Sequence, residues 1–256
     1  MTRQELTKHI ITCAYKNQAG HIAPALSILD IIITLYNDVL KEDDEFILSK
    51  GHGCLALYAV LWDKGYITEE QFYSFTQFDS ILGGHPSSRK IPQVKLSTGS
   101  LGHGLPFAVG LAMAKKIKGE AGTVYCLIGD GEANEGSIWE AALIAGHHKL
   151  DNLVCIVDNN HSGDRAIEID TKYQCIGKTA RLGFKNKFLA FDFNCEYING
   201  HNPKITKIYK PIIGPTCLIA NTTKGKSCRP MEDSPEWHHR QPKTQDELDS
   251  LLSEVY

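Results

Sequence analysis

The segment TVYCLIGDGEANEGSIWEAALIAGHHKLDNLVCIVDNN, residues 123–160, constrains the fold more than any other. Two short apolar runs, TVYCLIG and LVCIVD, flank a helix-length stretch, SIWEAALIAGHHKL. Neither run alternates with polar residues, so both read as strands buried on two faces. A strand, a helix of that length and a second strand make a βαβ unit, which requires a parallel sheet with helices over both faces. The expected class is α/β, a doubly wound and mostly parallel sheet.

The rest of the chain fits that class. Helical spacing is predicted over 3–17, over 22–40 (Ile22, Leu26, Leu29, Ile33, Tyr36 and Leu40), over 53–64 and over 69–77. Pro24 suits a first helical turn, as does Pro106 in a further helix closed by Gly119. Later strand candidates are 195–198 and 216–221, with a helix-like segment near 172–192 between them. A polar, Pro-punctuated tail over 225–242 precedes a closing helix from Gln245. No repeat or linker divides the 256 residues, so one domain over 1–256 is expected.

Composition excludes several function classes. A formal net charge of −3 with no basic block gives no electrostatic case for nucleic acid or an acidic membrane surface. No apolar run approaches a membrane span on this reading, and the acid-containing N-terminus is not a secretory signal. The eight cysteines are scattered without a C-x-x-C pair, which argues against zinc. They read as small buried hydrophobes of a reducing compartment, so a cytoplasmic location is expected.

In an open parallel sheet, ligands bind beyond the C-terminal strand ends. Asp130 falls just past one such end, and Asp158-Asn159-Asn160 just past the next. Carboxylate, amide and carbonyl oxygens are hard ligands that suit Mg²⁺ or Ca²⁺ together with phosphate oxygens. Gly129 and Gly131 would let backbone approach a diphosphate, and the following helix could offer N–H groups to it. The alternative is an ordinary acidic turn at a helix start.

GDG followed one βαβ unit later by NN resembles the thiamine diphosphate motif. The stretches GHIAPALSILDIIITLY, ILSKGHGCLALYAVL, GGHPSSRKIPQVKLSTGSLGHGLPFAVGLAMA and KGKSCRPMEDSPEWH also resemble the transketolase family, in family order over nearly the whole chain. The resemblance implies thiamine diphosphate with Mg²⁺, Ca²⁺ or Mn²⁺. It implies metal binding by Asp130, Asn160 and the Ser162 carbonyl, with Gly131 against the diphosphate. It puts His52 and His238 near the reacting centre and His21 and His85 against substrate oxygens. It also places Gly99, Ser100 and Leu101 on the cofactor, although a plain helix-entry turn would read the same. His103 stands where many full-length members have Gln. Glu135 matches an acid near the subunit interface, and equally reads as a first-turn helix acid. Ile22 replaces a Pro common in the family, which alters the wall beside His21. Glu132, His147, His148 and His239 receive no direct role, and Lys224 and Lys226 read as solvated loop lysines.

The resemblance covers the family's diphosphate-binding, N-terminal half. In the family, a Glu that activates the cofactor's aminopyrimidine lies in a second, pyrimidine-binding domain, and this sequence carries no such domain. The expectation is therefore one subunit of a split enzyme. With a separate pyrimidine-binding subunit, in a heterotetramer, it would move a two-carbon ketol unit between sugars or sugar phosphates. Two alternatives stand beside it: a carboligase of the 1-deoxyxylulose-5-phosphate-synthase type, and a catalytically silent binding subunit.

Overall fold

The computed structural model describes residues 1–161, 183–203, 205 and 213–256. Among these, five strands form one sheet in the order β1-β2-β3-β5-β4. They are β1 (Glu45–Leu48), β2 (Val124–Gly129), β3 (Leu153–Asn159), β4 (Asn194–Asn199) and β5 (Thr216–Asn221). Every pairing is parallel. The strand at 45–48 adds to those expected, because EFIL is too short and too close to the preceding acids to show a period.

Alternation across the sheet sorts the side chains into two cores. Phe46, Tyr125, Leu127, Val154, Ile156 and Leu218 face one layer. Ile47, Cys126, Ile128, Cys155, Val157 and Ile219 face the other. The first layer holds α1 (Arg3–Asn17), α2 (Ile22–Thr34) and α3 (Cys54–Asp63). α4 (Glu69–Tyr73) packs outside α1 and α3 and stops earlier than its apolar spacing suggests. The second layer holds α5 (Gly104–Lys118), α6 (Gly136–His147) and α7 (Gly183–Leu189). α8 (Gln245–Ser253) packs on α1. The helix-like segment near 172–192 lies mostly outside the described residues, apart from α7.

Local sequence explains the ends of these elements. Thr2 and Glu5 form a reciprocal capping box on α1, and Thr68 with Gln71 repeats it on α4. Gly119 closes α5 in a left-handed turn at φ +68°. α2 is largely apolar, apart from Ser27 and an Asp30 paired with Arg3 and His201, and it continues into a π-helical turn at Leu35–Val39. Ile22–Val39 is long and apolar enough to cross a membrane by length and composition, with mean hydropathy 1.5. That corrects the expectation that no run approaches a span. Two-thirds of the segment (67%) is buried inside the fold, so protein already covers this apolar surface.

Two glycines in adjacent helices should respond oppositely to alanine. A Cβ on Gly146 in α6 would stand 1.8 Å from the Phe191 carbonyl oxygen, whereas one on Gly110 in α5 meets nothing within 4 Å. Gly110→Ala is expected to stabilise by about 0.5–1 kcal/mol through helix propensity. Gly146→Ala should destabilise by about 1–3 kcal/mol, because α6 must lift off the chain beneath it. Urea unfolding midpoints of the two variants check this.

Candidate functional site

The C-terminal ends of β1, β2, β3 and β5 converge on one crevice. Gly129 is in register with Asp158, so the turn after β2 and the end of β3 sit side by side. Asp158 lies within β3 rather than beyond it. A cavity of about 360 Å³ opens here.

At the base of the crevice is a fully buried ion pair. Lys50 Nζ, from the turn after β1, lies 2.5 Å from Asp158 Oδ2. Asn160 Nδ2 donates to the same oxygen at 2.8 Å. The other carboxylate oxygen accepts from Ser27 Oγ at 2.7 Å and Thr222 Oγ1 at 2.5 Å. Burial alone would raise the Asp158 carboxyl; the Lys50 ammonium and these donated bonds outweigh it and hold its pKa below the usual carboxylate value. The network also sets the Asn160 amide. Its nitrogen donates to Asp158 and, at 3.2 Å, to Ser27 Oγ, which puts the carbonyl oxygen at the opposite end.

A second buried acid fixes the loop above. Glu132 accepts from Ser49 Oγ at 2.5 Å, from the Gly102 N–H at 2.9 Å and from the Gly129 N–H at 3.1 Å. Burial pushes its carboxyl pKa up, against those three donors. Glu132 thus ties the ends of β1 and β2 to the loop that enters α5. Gly102 sits in that loop at φ +85°, and a Cβ there would meet Ser137 Oγ at 2.6 Å.

The cavity wall brings together most of the expected residues: Asp130, Gly129, Gly131 and Asn160 on the sheet side, and His21, His52, His85 and His238 opposite. Gly99 and Leu101 complete it at the loop before α5. Ser100, His103 and Glu135 are exposed and do not line it. Ser162 lies outside the described residues. Five further residues line the cavity without a site role expected from sequence: Pro24, Lys50, Glu132, Lys224 and His239. Lys224 corrects the expectation of a solvated lysine, since it is buried with Nζ 2.6 Å from His238 Nδ1. Lys226 instead pairs with Glu232 at 3.1 Å. His239 stacks into the cluster, its ring 4.3 Å from that of His21 and 4.5 Å from that of His238.

The imidazoles form one group, with His21 5.6 Å from His52 and 5.8 Å from His238 by ring centroids. Burial first, and then neighbouring cations and imidazoles, depress their pKa values to about 4 for His21, about 2 for His52 and about 4 for His238. All three rings are therefore neutral at neutral pH. An ammonium can only donate, so Lys224 makes Nδ1 of His238 the acceptor and leaves the ring proton on Nε2. Loop closure carries His238 to the cavity: the Gly225 N–H donates to the Ala23 carbonyl at the start of α2, and the Asp233 N–H donates to that of Lys224.

The site fits a cation bound to a diphosphate. Asp130 and Asn160, 8% and 6% exposed, bring hard oxygen donors to the same wall. A Cβ on Gly129 would have ordinary clearance, with Lys50 Cβ nearest at 3.8 Å, so protein packing does not itself demand glycine there. A ligand approaching the backbone would.

Lys50→Met should cost about 3–5 kcal/mol by stranding the Asp158 charge in the interior. Lys50→Met with Asp158→Leu should recover part of that loss, as measured by the coupling in a double-mutant cycle. The imidazoles give a pH dependence of definite sign. Between pH 6.5 and about 2 the unfolded chain binds a proton that folded His52 refuses, so stability is complete above 6.5 and falls as pH drops. The loss at pH 5 is about 2 kcal/mol for one such ring. His52→Gln should flatten the change in urea midpoint between pH 7.5 and 5.

A family model described as "Transketolase, thiamine diphosphate binding domain" matches residues 9–249. An apulose-4-phosphate transketolase subunit of Actinobacillus succinogenes is 39% identical, over 97% of this chain and 92% of that protein. The 6-deoxy-6-sulfo-D-fructose transketolase subunit SqwG of Clostridium sp. is 35% identical, over 81% of this chain and 78% of its own length. The solved transketolase from Campylobacter jejuni superposes with a TM-score of 0.82 at 29% identity, over 98% of this chain. The chain spans 42% of that structure's length.

Proposed function

The chain belongs to the transketolase family, and from that premise we propose that it binds thiamine diphosphate and a divalent cation as the diphosphate-binding subunit of a split transketolase. One observation carries the reading: Asp130 and Asn160 stand on one cavity wall at paired strand ends, with the Asn160 amide oriented by a buried carboxylate. The Asp130 carboxylate and the Asn160 amide oxygen would hold Mg²⁺, and the Ser162 carbonyl would add a third ligand. Gly129 and Gly131 would take the diphosphate against the backbone, with the Lys224 ammonium offsetting its charge.

When bound, thiamine diphosphate would supply a nucleophilic thiazolium carbon, with the cationic ring as electron sink. The chain's own groups bind, orient and move protons. His238 donates from Nε2, because Lys224 holds its Nδ1 as the acceptor. His21 and His52, neutral at working pH, can exchange a proton with a sugar hydroxyl or carbonyl oxygen. His85 and His239 line the outer part of the cavity, where a substrate's hydroxyls would pass.

The transferred group is a two-carbon ketol unit, passed from a ketose to an aldose. A separate pyrimidine-binding subunit completes the site, in a heterotetramer. The relatives named as subunits support that reading, since this chain spans 92% and 78% of their lengths. Glu135, exposed at the N-terminus of α6, would face the partner. The seven described cysteines are all free thiols, which supports a cytoplasmic setting.

Calorimetry with thiamine diphosphate and Mg²⁺ tests the reading, both with and without the partner chain. Asp130→Ala should weaken cation-dependent binding by about 10-fold or more, while far-UV circular dichroism and the unfolding midpoint stay near those of the parent. Unchanged cofactor affinity would refute the metal role. Full ketol transfer by the purified chain alone would refute the split architecture.

A further inference from the structure

Four cysteines stand shoulder to shoulder across four neighbouring strands. Cys126 of β2 is in register with Cys155 of β3, Cys155 with Cys217 of β5, and Cys217 with Cys195 of β4. Residues in direct register on parallel strands point to the same face, and all four belong to the layer beneath α5, α6 and α7. Adjacent strands lie about 4.8 Å apart, inside the roughly 4.4–6.8 Å Cα separation of disulfides. Cys195 Sγ itself donates to the Phe193 carbonyl oxygen at 3.6 Å, and Cys217 is the neighbour in register beside it.

Position separates the four. Cys126, Cys155 and Cys217 are fully buried between strands and helices. Cys195 is only half-buried, on β4, which among the described residues is an outer strand of the sheet, paired on one side with β5. An edge strand can shift towards its neighbour without breaking a second ladder. We infer that Cys195 and Cys217 form an oxidative modification site, in which a hydroperoxide converts the pair into a disulfide across the β4–β5 ladder.

The chemistry balances in two steps. The Cys195 thiolate attacks one peroxide oxygen, the O–O bond breaks, and Cys195 becomes a sulfenic acid as hydroxide leaves. Cys217 sulfur then attacks Cys195 sulfur; the S–O bond breaks, and the Cys217 proton leaves with the oxygen as water. Two thiols are oxidised and one peroxide is reduced to two waters. The hydrogen bond from Cys217 and, less strongly, the nearby Lys185 ammonium depress the Cys195 pKa despite partial burial, favouring the thiolate at the accessible end. Burial raises the Cys217 pKa well above the usual thiol value and keeps it a protonated thiol.

Peptide mass mapping tests the inference on the full chain, after hydrogen peroxide treatment and alkylation of the remaining thiols. The expected product is one cross-linked peptide joining Cys195 to Cys217, lighter by two hydrogens than the pair. Cys217→Ser should instead leave Cys195 as a sulfenic acid that dimedone traps, and Cys195→Ser should yield neither product. Recovery of Cys195 as an unmodified thiol when other cysteines are oxidised would overturn the proposal. So would its appearance linked to any other cysteine.

Discussion

Lys50 and Asp158 meet in the interior, shielded from solvent, and the working end of the molecule is arranged from that contact outward. A charge pair in such a place is costly to desolvate, and it persists only where every remaining lone pair finds a donor. Asp158 meets that condition by drawing in Ser27 from α2, Thr222 from the end of β5 and Asn160 from the end of β3. Four elements far apart in sequence are thereby fixed relative to one another. The amide that would ligate a cation owes its orientation to this pair, not to the loop that carries it.

Glu132 plays the complementary part above the sheet. Its carboxylate joins β1, β2 and the entry to α5, so the turn bearing Asp130 is braced from both sides. Two buried acids therefore frame a third, Asp130, which faces the cavity. The imidazole cluster opposite is kept uncharged by burial and by the cations around it. A neutral, hydrogen-bonding wall beside Lys224 suits an anionic ligand carrying a polyhydroxy substrate.

Much of this is legible in the chain itself. The strands at 124–129 and 153–159 declare themselves by unbroken apolar runs, and Thr216–Asn221 matches its expected bounds. Of the histidines in Gly-flanked loops, His21, His52 and His85 converge on one crevice. Less visible are roles that depend on three-dimensional neighbours. Lys50 sits in an apolar-to-glycine turn that looks solvated until β1 is seen to run beneath the crevice. Lys224 reads as one of several loop lysines, and only the return of the 225–239 loop onto α2 buries it. His239 shares its dipeptide with His238, and nothing in that pairing says that both rings reach the cavity. Conversely, His103 and Glu135 occupy motif positions yet stay outside the cavity wall, because the helix N-termini at 104 and 136 turn those residues outward.

The largely apolar character of α2 has a consequence for how the molecule comes into being. The segment at 22–39 is synthesised long before the strands it will lie against, since β2, β3 and β5 begin at 124, 153 and 216. Until those strands emerge, a growing polypeptide has α1 and α3 as local cover for this long apolar stretch. The hazard lies in timing, and the finished protein no longer displays it.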